Sequence, residues 1–287
     1  MRILVLGANG QLGSDLVRHW RAQGEDVVSA TRRDARIEDY RAVSDLVARL
    51  RPALVVNTTA WTNLPGCEED PASAFAVNAL GALHAARAAA TANAHLIQIS
   101  TDYVFDGTKP SPYVEGDARR ALNVYGASKL AGEDLAAQGC PRSTIVRLSA
   151  IYGAAGASGK GGNFVETMCR LAASGASPNV IADQVTSPTN TLDVAPALLD
   201  IIRSGTEGVV HLVAAGSCSW HEFASAIFEL SGVSQRPQPV TAETYGGPVR
   251  RPAFSALGST RVAALPHWRD GLDRYVNARR QSAGVSA

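Results

Sequence analysis

A tyrosine and a lysine four residues apart are the side chains of this sequence best suited to perform chemistry. Tyr125 and Lys129 lie in a segment, residues 125–129, that reads YGASK. On a helix, residues four apart share a face, so the Lys129 ammonium would lie beside the Tyr125 phenol and favour its ionised form. A phenol tuned in this way passes a proton to or from a carbonyl oxygen near neutral pH.

A polar segment at the end of a predicted strand could form the rest of such a site. Residues 100–107 read STDYVFDG and follow an apolar run that begins at His95 and predicts a buried strand. In an open parallel sheet, ligands bind beyond the carboxyl ends of the strands. We therefore expect this segment, which contains Thr101 and Asp102, to open onto a ligand crevice.

A glycine-rich turn near the N-terminus predicts a dinucleotide site. Residues 7–13 read GANGQLG and lie between a predicted strand and a predicted helix. Glycines allow a tight turn and close backbone approach, and the helix N-terminus offers unpaired N–H groups and partial positive charge to a pyrophosphate. The predicted cofactor contacts here are Gly7, Asn9, Gly10, Gln11, Leu12 and Gly13.

The residues after the second predicted strand indicate which dinucleotide binds. That strand ends at Ala30, and Thr31, Arg32 and Arg33 follow it. An NAD-specific site usually places an acidic side chain here, on the ribose 2′-hydroxyl, whereas two guanidiniums suit a 2′-phosphate. The sequence therefore favours NADPH, with NADH as the alternative cofactor and a solvated surface loop as the non-functional explanation.

The elements that must position these groups alternate along the first half of the chain. Apolar runs predict strands at 3–6, 26–30, 54–57, 95–100 and 143–148, and the Ala-rich segment 71–92 predicts one helix of about six turns. Strand and helix in alternation indicate an α/β protein with a Rossmann-like, doubly wound parallel sheet that helices cover on both faces.

The second half of the chain predicts a smaller α/β lobe. Residues 153–162 are rich in Gly, Ala and Ser and predict a loop. Further helices are predicted at 163–173, 191–203 and 220–230. We therefore predict a Rossmann domain over 1–149, to which later segments return, and a mainly substrate-binding lobe over 150–287.

Composition excludes several classes of function. The 287 residues suffice for one large or two small domains, and the formal net charge of +1 comes without a charge run, so nucleic acid and membrane surfaces are poor partners. No apolar run approaches the ~20 residues that span a bilayer, and the N-terminal run is too short for a signal peptide, so we expect a cytoplasmic protein. The four cysteines and six histidines show no ligand spacing, and we predict no metal.

Short motifs that extend over nearly the whole chain identify a family. They read NTTA at 57–60, AVN at 76–78, STDYVFDG at 100–107, NVYGASKLAGE at 123–133, GNFVETM at 162–168, DQ at 183–184, PT at 188–189, HLV at 211–213, WH at 220–221 and RP at 251–252. Together they resemble the dTDP-4-dehydrorhamnose reductase family of the extended short-chain dehydrogenase/reductase superfamily. The resemblance implies reduction of the C4 keto group of a nucleotide-linked 4-keto-6-deoxy sugar by a nicotinamide cofactor.

The resemblance also implies a role for each candidate side chain. Tyr125 would donate the proton, Lys129 would hold the ribose and lower the pKa of Tyr125, and Thr101 would bind the keto oxygen. Further cofactor contacts would be Ile37, Thr59 and Ala60, and the substrate contacts would be Thr62, Thr101, Asp102, Tyr103, Asn163 and Arg251. A homodimer is compatible with the resemblance, and the sequence does not decide it.

Among the departures from the family pattern, two concern residues that would meet a base of the substrate or of the cofactor. After Ser149 the family usually carries a tryptophan that stacks on the nucleotide base, whereas this chain has Ala150. Base stacking on an aromatic ring contributes about 1–3 kcal/mol, so its loss implies another base, another stacking residue or a substrate that is not dTDP-linked. The acidic residue that usually meets the adenine is replaced by Arg36, which leaves Ile37 or Asp39 to recognise the adenine.

Two other functions stay open on the sequence alone. The resemblance extends to a regulatory subunit of methionine adenosyltransferase, which binds the cofactor without turnover. A nucleotide-sugar epimerase or dehydratase would instead retain NAD through a cycle of oxidation and reduction. The joint presence of Thr101, Tyr125 and Lys129 favours the reductase, because a protein that only binds has no physical need for a tuned phenol.

Overall fold

The computed structural model of the protein describes residues 1–155 and 162–284. Residues 156–161, most of the loop predicted over 153–162, lie outside this range. The strands are β1 (Arg2–Leu6), β2 (Asp26–Ala30), β3 (Leu54–Asn57), β4 (His95–Thr101), β5 (Ser143–Leu148), β6 (Ile151–Tyr152), β7 (Asn179–Ile181), β8 (Val185–Thr186), β9 (Thr189–Asn190), β10 (Gly208–His211), β11 (Ala214–Ala215), β12 (Cys218–Ser219), β13 (Gln238–Val240) and β14 (Leu265–His267). The helices are α1 (Gln11–Ala22), α2 (Tyr40–Leu50), α3 (Leu64–Glu69), α4 (Pro71–Phe75), α5 (Gly81–Thr91), α6 (Val124–Gly139), α7 (Phe164–Ala173), α8 (Thr191–Arg203), α9 (Trp220–Leu230), α10 (Ala242–Tyr245) and α11 (Trp268–Gly284).

The central sheet is parallel throughout, with the strand order β10-β5-β4-β3-β1-β2. Its inner strands carry apolar residues on both faces, and all four residues of β3 are buried. Strand β1 pairs with β2 on one side and with β3 on the other, so the direction of winding reverses beside it. A ligand crevice forms at such a point, and the glycine-rich turn after β1 lies there.

Helices cover both faces of the sheet. On one face, α1 and α8 pack together, and the Trp20 indole Nε1 donates a hydrogen bond of 2.8 Å to the Ala195 carbonyl oxygen. On the other face, α2, α5 and α6 approach closely because the contact side chains of α5 are alanines. These two layers confirm the predicted doubly wound α/β sheet.

A second apolar core lies outside the sheet. It joins α7, α9 and α11 through side chains such as Val165, Phe223 and Leu272, each at most 1% exposed. Short strand pairs border it, with β13 parallel to β7 and β12 antiparallel to β8. The chain beyond residue 150 therefore builds this second core and also returns α8 and β10 to the central sheet.

Most predicted elements of the first half coincide with the observed ones, and one does not. Strands β2, β3 and β5 have the predicted bounds, whereas the helix predicted over 71–92 is interrupted by a π-helical turn, Ala76–Leu80. The Asn78 side chain in this turn accepts the Trp61 N–H at 2.8 Å and donates to Ser128 Oγ at 3.0 Å. The wider π-helical turn places the buried Asn78 amide between α6 and the loop that follows β3. No pattern of residue types in the sequence predicts this turn.

Candidate active site

Two cavities adjoin at the carboxyl end of the sheet. The edge cavity, of about 880 Å³, lies beyond β2 and is lined by Arg32 and Arg33. The central cavity, of about 560 Å³, lies beyond β4 and is lined by Tyr125. Gly10 and Ala60 line both cavities, so the two cavities adjoin at the glycine-rich turn.

All but one of the predicted site residues line these cavities. The central cavity is lined by Gly10, Gln11, Leu12, Gly13, Ala60, Thr62, Thr101, Asp102, Tyr103, Tyr125, Lys129 and Asn163. The edge cavity is lined by Gly7, Asn9, Gly10, Thr31, Arg32, Arg33, Ile37, Thr59 and Ala60. Arg251 lines neither cavity. It lies against Tyr103, whose pKa is raised by burial and lowered, to a smaller extent, by the Arg251 charge.

The glycine turn has the shape of a phosphate cradle. Gly7 has a φ of +79°, and a Cβ there would lie 2.7 Å from Thr58 Oγ1. A Cβ at Gly13 would overlap the Gly7 carbonyl oxygen, so α1 begins directly against the turn. The N-cap residue, Gly10, provides no side-chain cap, which leaves the first N–H groups of α1 available to an anion. These residues fit the pyrophosphate of a dinucleotide.

The tip beyond β2 presents its two arginines to the edge cavity. Both the Thr31 N–H and Thr31 Oγ1 donate to Asp34 Oδ2, at 2.8 and 2.9 Å, and close the tip into a turn. Arg32 and Arg33 are exposed on this turn. Two positive charges held beside a cavity by a local turn suit a phosphate group.

The contacts predicted for the adenine are corrected at one position. Ile37, the predicted adenine contact, lines the edge cavity and is buried against α5. Asp39 does not line it, because its carboxylate caps α2 by accepting the Ala42 N–H at 3.1 Å. Glu38, which the sequence gave no reason to single out, lines the cavity and pairs with Arg36 at 3.1 Å.

Tyr125 and Lys129 are both buried, and burial sets their pKa values. Lys129 Nζ donates a 2.7 Å hydrogen bond to the Ile99 carbonyl oxygen. Burial lowers the pKa of Lys129 to about 8, against the opposing charge of Glu133. Burial raises the pKa of Tyr125, against a hydrogen bond with Thr101. The pKa of Tyr125 is thus not lowered overall as the sequence led us to expect, because desolvation dominates and the Lys129 ammonium binds the Ile99 carbonyl oxygen.

Asp102 organises the hydroxyl groups beside Tyr125. It is 3% exposed and accepts hydrogen bonds from Thr101 Oγ1 at 3.0 Å, Ser149 Oγ at 3.0 Å and Ser255 Oγ at 2.5 Å. Burial raises the pKa of Asp102 to about 6, and the three hydroxyls act in the opposite direction. The carboxylate thus fixes the Thr101 side chain. Sequence reasoning missed both serines, which lie far from Asp102 along the chain.

A buried ionic network lies beneath the central cavity. Glu133 accepts hydrogen bonds from Ser100 Oγ at 2.5 Å, from Arg147 Nε and Nη2 at 2.8 and 2.7 Å, and from Arg119 Nη1 at 3.1 Å. Burial acts to raise the pKa of Glu133, but Arg147 and the other donors hold it below its usual value. Arg147 Nη1 lies 3.1 Å from His211 Nε2, which extends the network to β10.

Asn163 connects the two halves of the central cavity. Its Oδ1 accepts the Glu166 N–H at 2.9 Å and caps α7, and its Nδ2 lies 3.0 Å from Gln11 Oε1 and from the Gly153 carbonyl oxygen. Beyond it, the cavity is lined by side chains that the sequence did not assign to the site: Phe164, Thr167, Gln184, Val185, Thr186 and Trp220.

Residues 1–155 and 162–284 contain neither a membrane-spanning helix nor a metal-binding cluster. Within these ranges no helix combines the length and the apolar character needed to cross a membrane. The same residues contain no group of three or more His, Cys, Asp or Glu side chains that could hold a metal ion.

A family model and many known proteins match the chain, several of them almost end to end. The family model described as RmlD substrate binding domain matches residues 1–281. The spore coat polysaccharide biosynthesis protein SpsK of Bacillus subtilis (strain 168) is 38% identical over 282 residues, 97% of this chain and 98% of that protein. The dTDP-4-dehydrorhamnose reductase of Mycobacterium tuberculosis (strain ATCC 25618 / H37Rv) is 37% identical over 295 residues, 99% of this chain and 95% of that protein. The crystal structure of dTDP-4-dehydrorhamnose reductase from Bacillus anthracis in complex with NADP has a TM-score of 0.92 and 33% identity, covering 96% of this chain and 99% of that one.

Proposed function

The chain belongs to the family of the RmlD substrate binding domain, and from this premise we propose that it is an NAD(P)H-dependent nucleotide-sugar reductase. Its reaction converts the C4 keto group of a nucleotide-linked 4-keto-6-deoxy sugar to an alcohol. The observation that carries the proposal is that Thr101, Tyr125 and Lys129 line one cavity, which adjoins the glycine cradle. The 37% identity to a protein named dTDP-4-dehydrorhamnose reductase supports the same chemistry.

The cofactor is NADPH, with NADH as the alternative, and when bound it supplies the hydride for C4. The first backbone N–H groups of α1, which has no side-chain cap at Gly10, would hold the pyrophosphate together with the partial positive charge of the helix. Arg32 and Arg33 would pair with the 2′-phosphate. The relative whose structure contains NADP supports this assignment.

Tyr125 would complete the reduction by donating the phenolic proton to the keto oxygen. Its raised pKa keeps that proton in place until the oxygen becomes basic. Thr101 Oγ1, which donates to Asp102 in the structure, would turn its single hydroxyl proton to the same oxygen when the substrate binds. Lys129 would hold the ribose and, as a buried cation, stabilise the phenolate that remains on Tyr125.

The substrate side of the cavity would be built mainly by the chain beyond residue 149. We assign Thr62, Asp102, Tyr103 and Asn163 to the sugar, and we assign Arg251 to positioning Tyr103 rather than to direct contact. The second core formed by α7, α9 and α11 supports a division into a cofactor domain over 1–149 and a mainly substrate-binding lobe over 150–287. We further propose a cytoplasmic location.

We also propose a homodimer, and two exposed apolar side chains near the π-helical turn support it. Phe75 is 38% exposed and Leu80 is 48% exposed, on the same helical segment. Light scattering of the full chain should give twice the monomer mass, and Leu80→Glu should shift it to the monomer. A monomeric wild-type chain would contradict this proposal and leave the proposed reaction untouched.

The reaction is tested by mixing the protein with NADPH and dTDP-, UDP-, GDP- and CDP-linked 4-keto-6-deoxy sugars while following the nicotinamide absorbance. We expect stoichiometric NADPH oxidation with at least one of them and formation of the C4 alcohol. A regulatory subunit would bind NADPH and oxidise none of it. An epimerase or dehydratase would convert its sugar without net oxidation of added NADPH.

A further inference from the structure

The central cavity lacks an aromatic residue where the family pattern places one. Ala150 lines the cavity and has a left-handed backbone, with a φ of +42°. Its methyl group offers no face on which a nucleobase could stack. If the substrate is linked to a nucleotide, as proposed above, another surface of the cavity must receive the base.

Two aromatic side chains form a wall elsewhere in the same cavity. Phe164 and Trp220 are the first residues of α7 and α9, both are partly exposed, and both line the cavity. Their ring centroids are 4.8 Å apart, with the planes tilted by 59°. The rings touch each other, so a base could stack on an exposed face of the wall but could not enter between them.

Buried aromatic residues hold this wall in place. Phe223 stacks on Phe164 with centroids 5.6 Å apart and planes within 13°, and Phe223 itself is 1% exposed. Trp268 meets Phe223 edge to face at 5.8 Å. Because the second core fixes both rings, stacking on them costs little side-chain entropy.

A buried amide lies beside the wall with its hydrogen-bonding capacity unused. Gln184 is 7% exposed and lines the cavity. Its main-chain carbonyl oxygen accepts the Trp220 main-chain N–H at 3.2 Å, and its side chain is not part of this bond. Across the described parts of the chain, no residue forms a hydrogen bond with the Gln184 side chain. The donor and the acceptor of this side-chain amide are therefore available to the polar edge of a ligand in the cavity.

The wall and the reacting groups line the same cavity. Thr186 Oγ1 is 2.7 Å from Ser149 Oγ, which in turn binds Asp102. Gln184 precedes Thr186 by two residues, which on an extended chain adds roughly 6–7 Å. The nucleotide of a sugar bound at Thr101 and Tyr125 could therefore reach the wall within this one cavity.

We propose that Trp220 and Phe164 form the stacking surface for the nucleobase of the substrate, and that the Gln184 amide hydrogen-bonds the edge of that base. The ligand class is a nucleoside diphosphate. The proposal rests on the proposed function for its choice of ligand, but it concerns binding alone and needs no turnover.

The test measures binding of dTDP, UDP and inorganic pyrophosphate to the NADPH-loaded protein by calorimetry. We expect Trp220→Ala to weaken the binding of the nucleoside diphosphates by about 10- to 100-fold, as loss of one stacking face does, and to leave pyrophosphate unchanged. Trp220→Phe should restore most of the affinity. Tyr245→Ala, which removes an aromatic side chain 58% exposed and outside both cavities, is the matched control and should change nothing.

A second measurement keeps the proposal testable if Trp220→Ala does not fold. Nucleotide stacked on Trp220 should quench tryptophan fluorescence in the wild type, and Trp220→Phe should abolish that quenching. Gln184→Leu should weaken nucleoside diphosphate binding without affecting pyrophosphate. Equal dTDP binding by wild type and Trp220→Ala, or unchanged quenching in Trp220→Phe, would overturn the proposal. Neither result depends on whether a keto sugar is reduced.

Discussion

The central and edge cavities are constructed in opposite ways. In the central cavity, polar side chains are buried and receive partners from distant parts of the chain, as Asp102 does from Ser149 and Ser255. In the edge cavity, Arg32 and Arg33 are exposed on a turn that residues within the same tip stabilise. Proton transfer requires groups fixed in advance, whereas a phosphate can be bound by mobile charges at the surface. Changes to the central cavity should therefore cost turnover and stability, and changes to the edge cavity should cost cofactor affinity alone.

The largest effect expected is that of Tyr125→Phe. The substitution removes only the hydroxyl that donates the proton, so kcat should fall by about 10²- to 10⁴-fold while NADPH affinity stays within about twofold. Steady-state kinetics and a fluorescence titration with NADPH measure the two quantities. Tyr40→Phe is the matched control, since it removes a phenolic hydroxyl from a side chain that is 41% exposed and lines neither cavity. Equal losses in both variants would remove Tyr125 from its assigned role.

Removal of the charge at Glu133 should have the next largest effect, on stability and on the pH profile. Glu133→Gln leaves Arg147 buried without its counter-ion, which should lower the free energy of unfolding by about 3–5 kcal/mol. Glu133 also raises the pKa of Lys129, so the alkaline limb of the kcat profile should move to lower pH. Urea denaturation and a pH–rate series measure the two effects.

The control for Glu133→Gln is a carboxylate with an equally short but more exposed ion pair. Asp193 lies 2.6 Å from an Arg274 side chain that is 48% exposed. Asp193→Asn should cost about 0–1 kcal/mol and leave the pH profile unchanged. A pH profile that moves equally in both variants would show that Glu133 does not act through Lys129.

The sequence predicted those parts of the site whose partners lie within one element or turn. Tyr125 and Lys129 follow from helical spacing, and the glycine cradle follows from one loop between β1 and α1. Ser149 and Ser255 could not be inferred, because only the tertiary fold brings their hydroxyls to Asp102. The same applies to the π-helical turn, where tertiary hydrogen bonds of Asn78 override a continuous helical pattern.

Gln184 and Trp220 illustrate an intermediate case. Both lie in segments, 183–184 and 220–221, that match the family motifs, so the sequence marked them without a role. Their function depends on a short antiparallel pair, β8 with β12, that sets the start of α9 beside the cavity. Two-residue strands carry too little periodicity to be predicted, and for that reason this half of the cavity became visible only in the structure.

A buried carboxylate should also make stability depend on pH. Burial raises the pKa of Asp102 from 3.8 to about 6. Between these two pH values the folded protein keeps a proton on Asp102, whereas the unfolded chain has released it. The contribution of Asp102 to the free energy of unfolding therefore falls as pH rises from about 4 to 6. Asp102→Asn abolishes this titration, so the variant should gain up to about 3 kcal/mol relative to wild type between pH 4 and pH 7.

Denaturation at several pH values measures this difference, with Asp106→Asn as the control of opposite sign. Hydrogen bonds from Thr108 lower the pKa of Asp106, so its stabilising contribution is present above its unfolded pKa and is lost as pH falls. The Asp106→Asn variant should thus lose stability relative to wild type as pH rises. A flat difference for Asp102→Asn would show that Asp102 titrates normally.

The smallest effect is expected in the edge cavity, where it separates the two cofactors. Arg32→Ala should raise KM for NADPH about 10-fold, the equivalent of one charge-assisted hydrogen bond, because it removes one guanidinium from the 2′-phosphate. KM for NADH, kcat and the free energy of unfolding should stay unchanged, since Arg32 is exposed and supports no buried group. Arg41→Ala removes an exposed arginine of the neighbouring α2 that lines neither cavity, and it should alter neither KM. If Arg32→Ala raised KM for both cofactors equally, the Arg32 guanidinium would act only as a general positive charge and not as a ligand of the 2′-phosphate. The edge cavity would then not be the phosphate site that the comparison with the central cavity assumes.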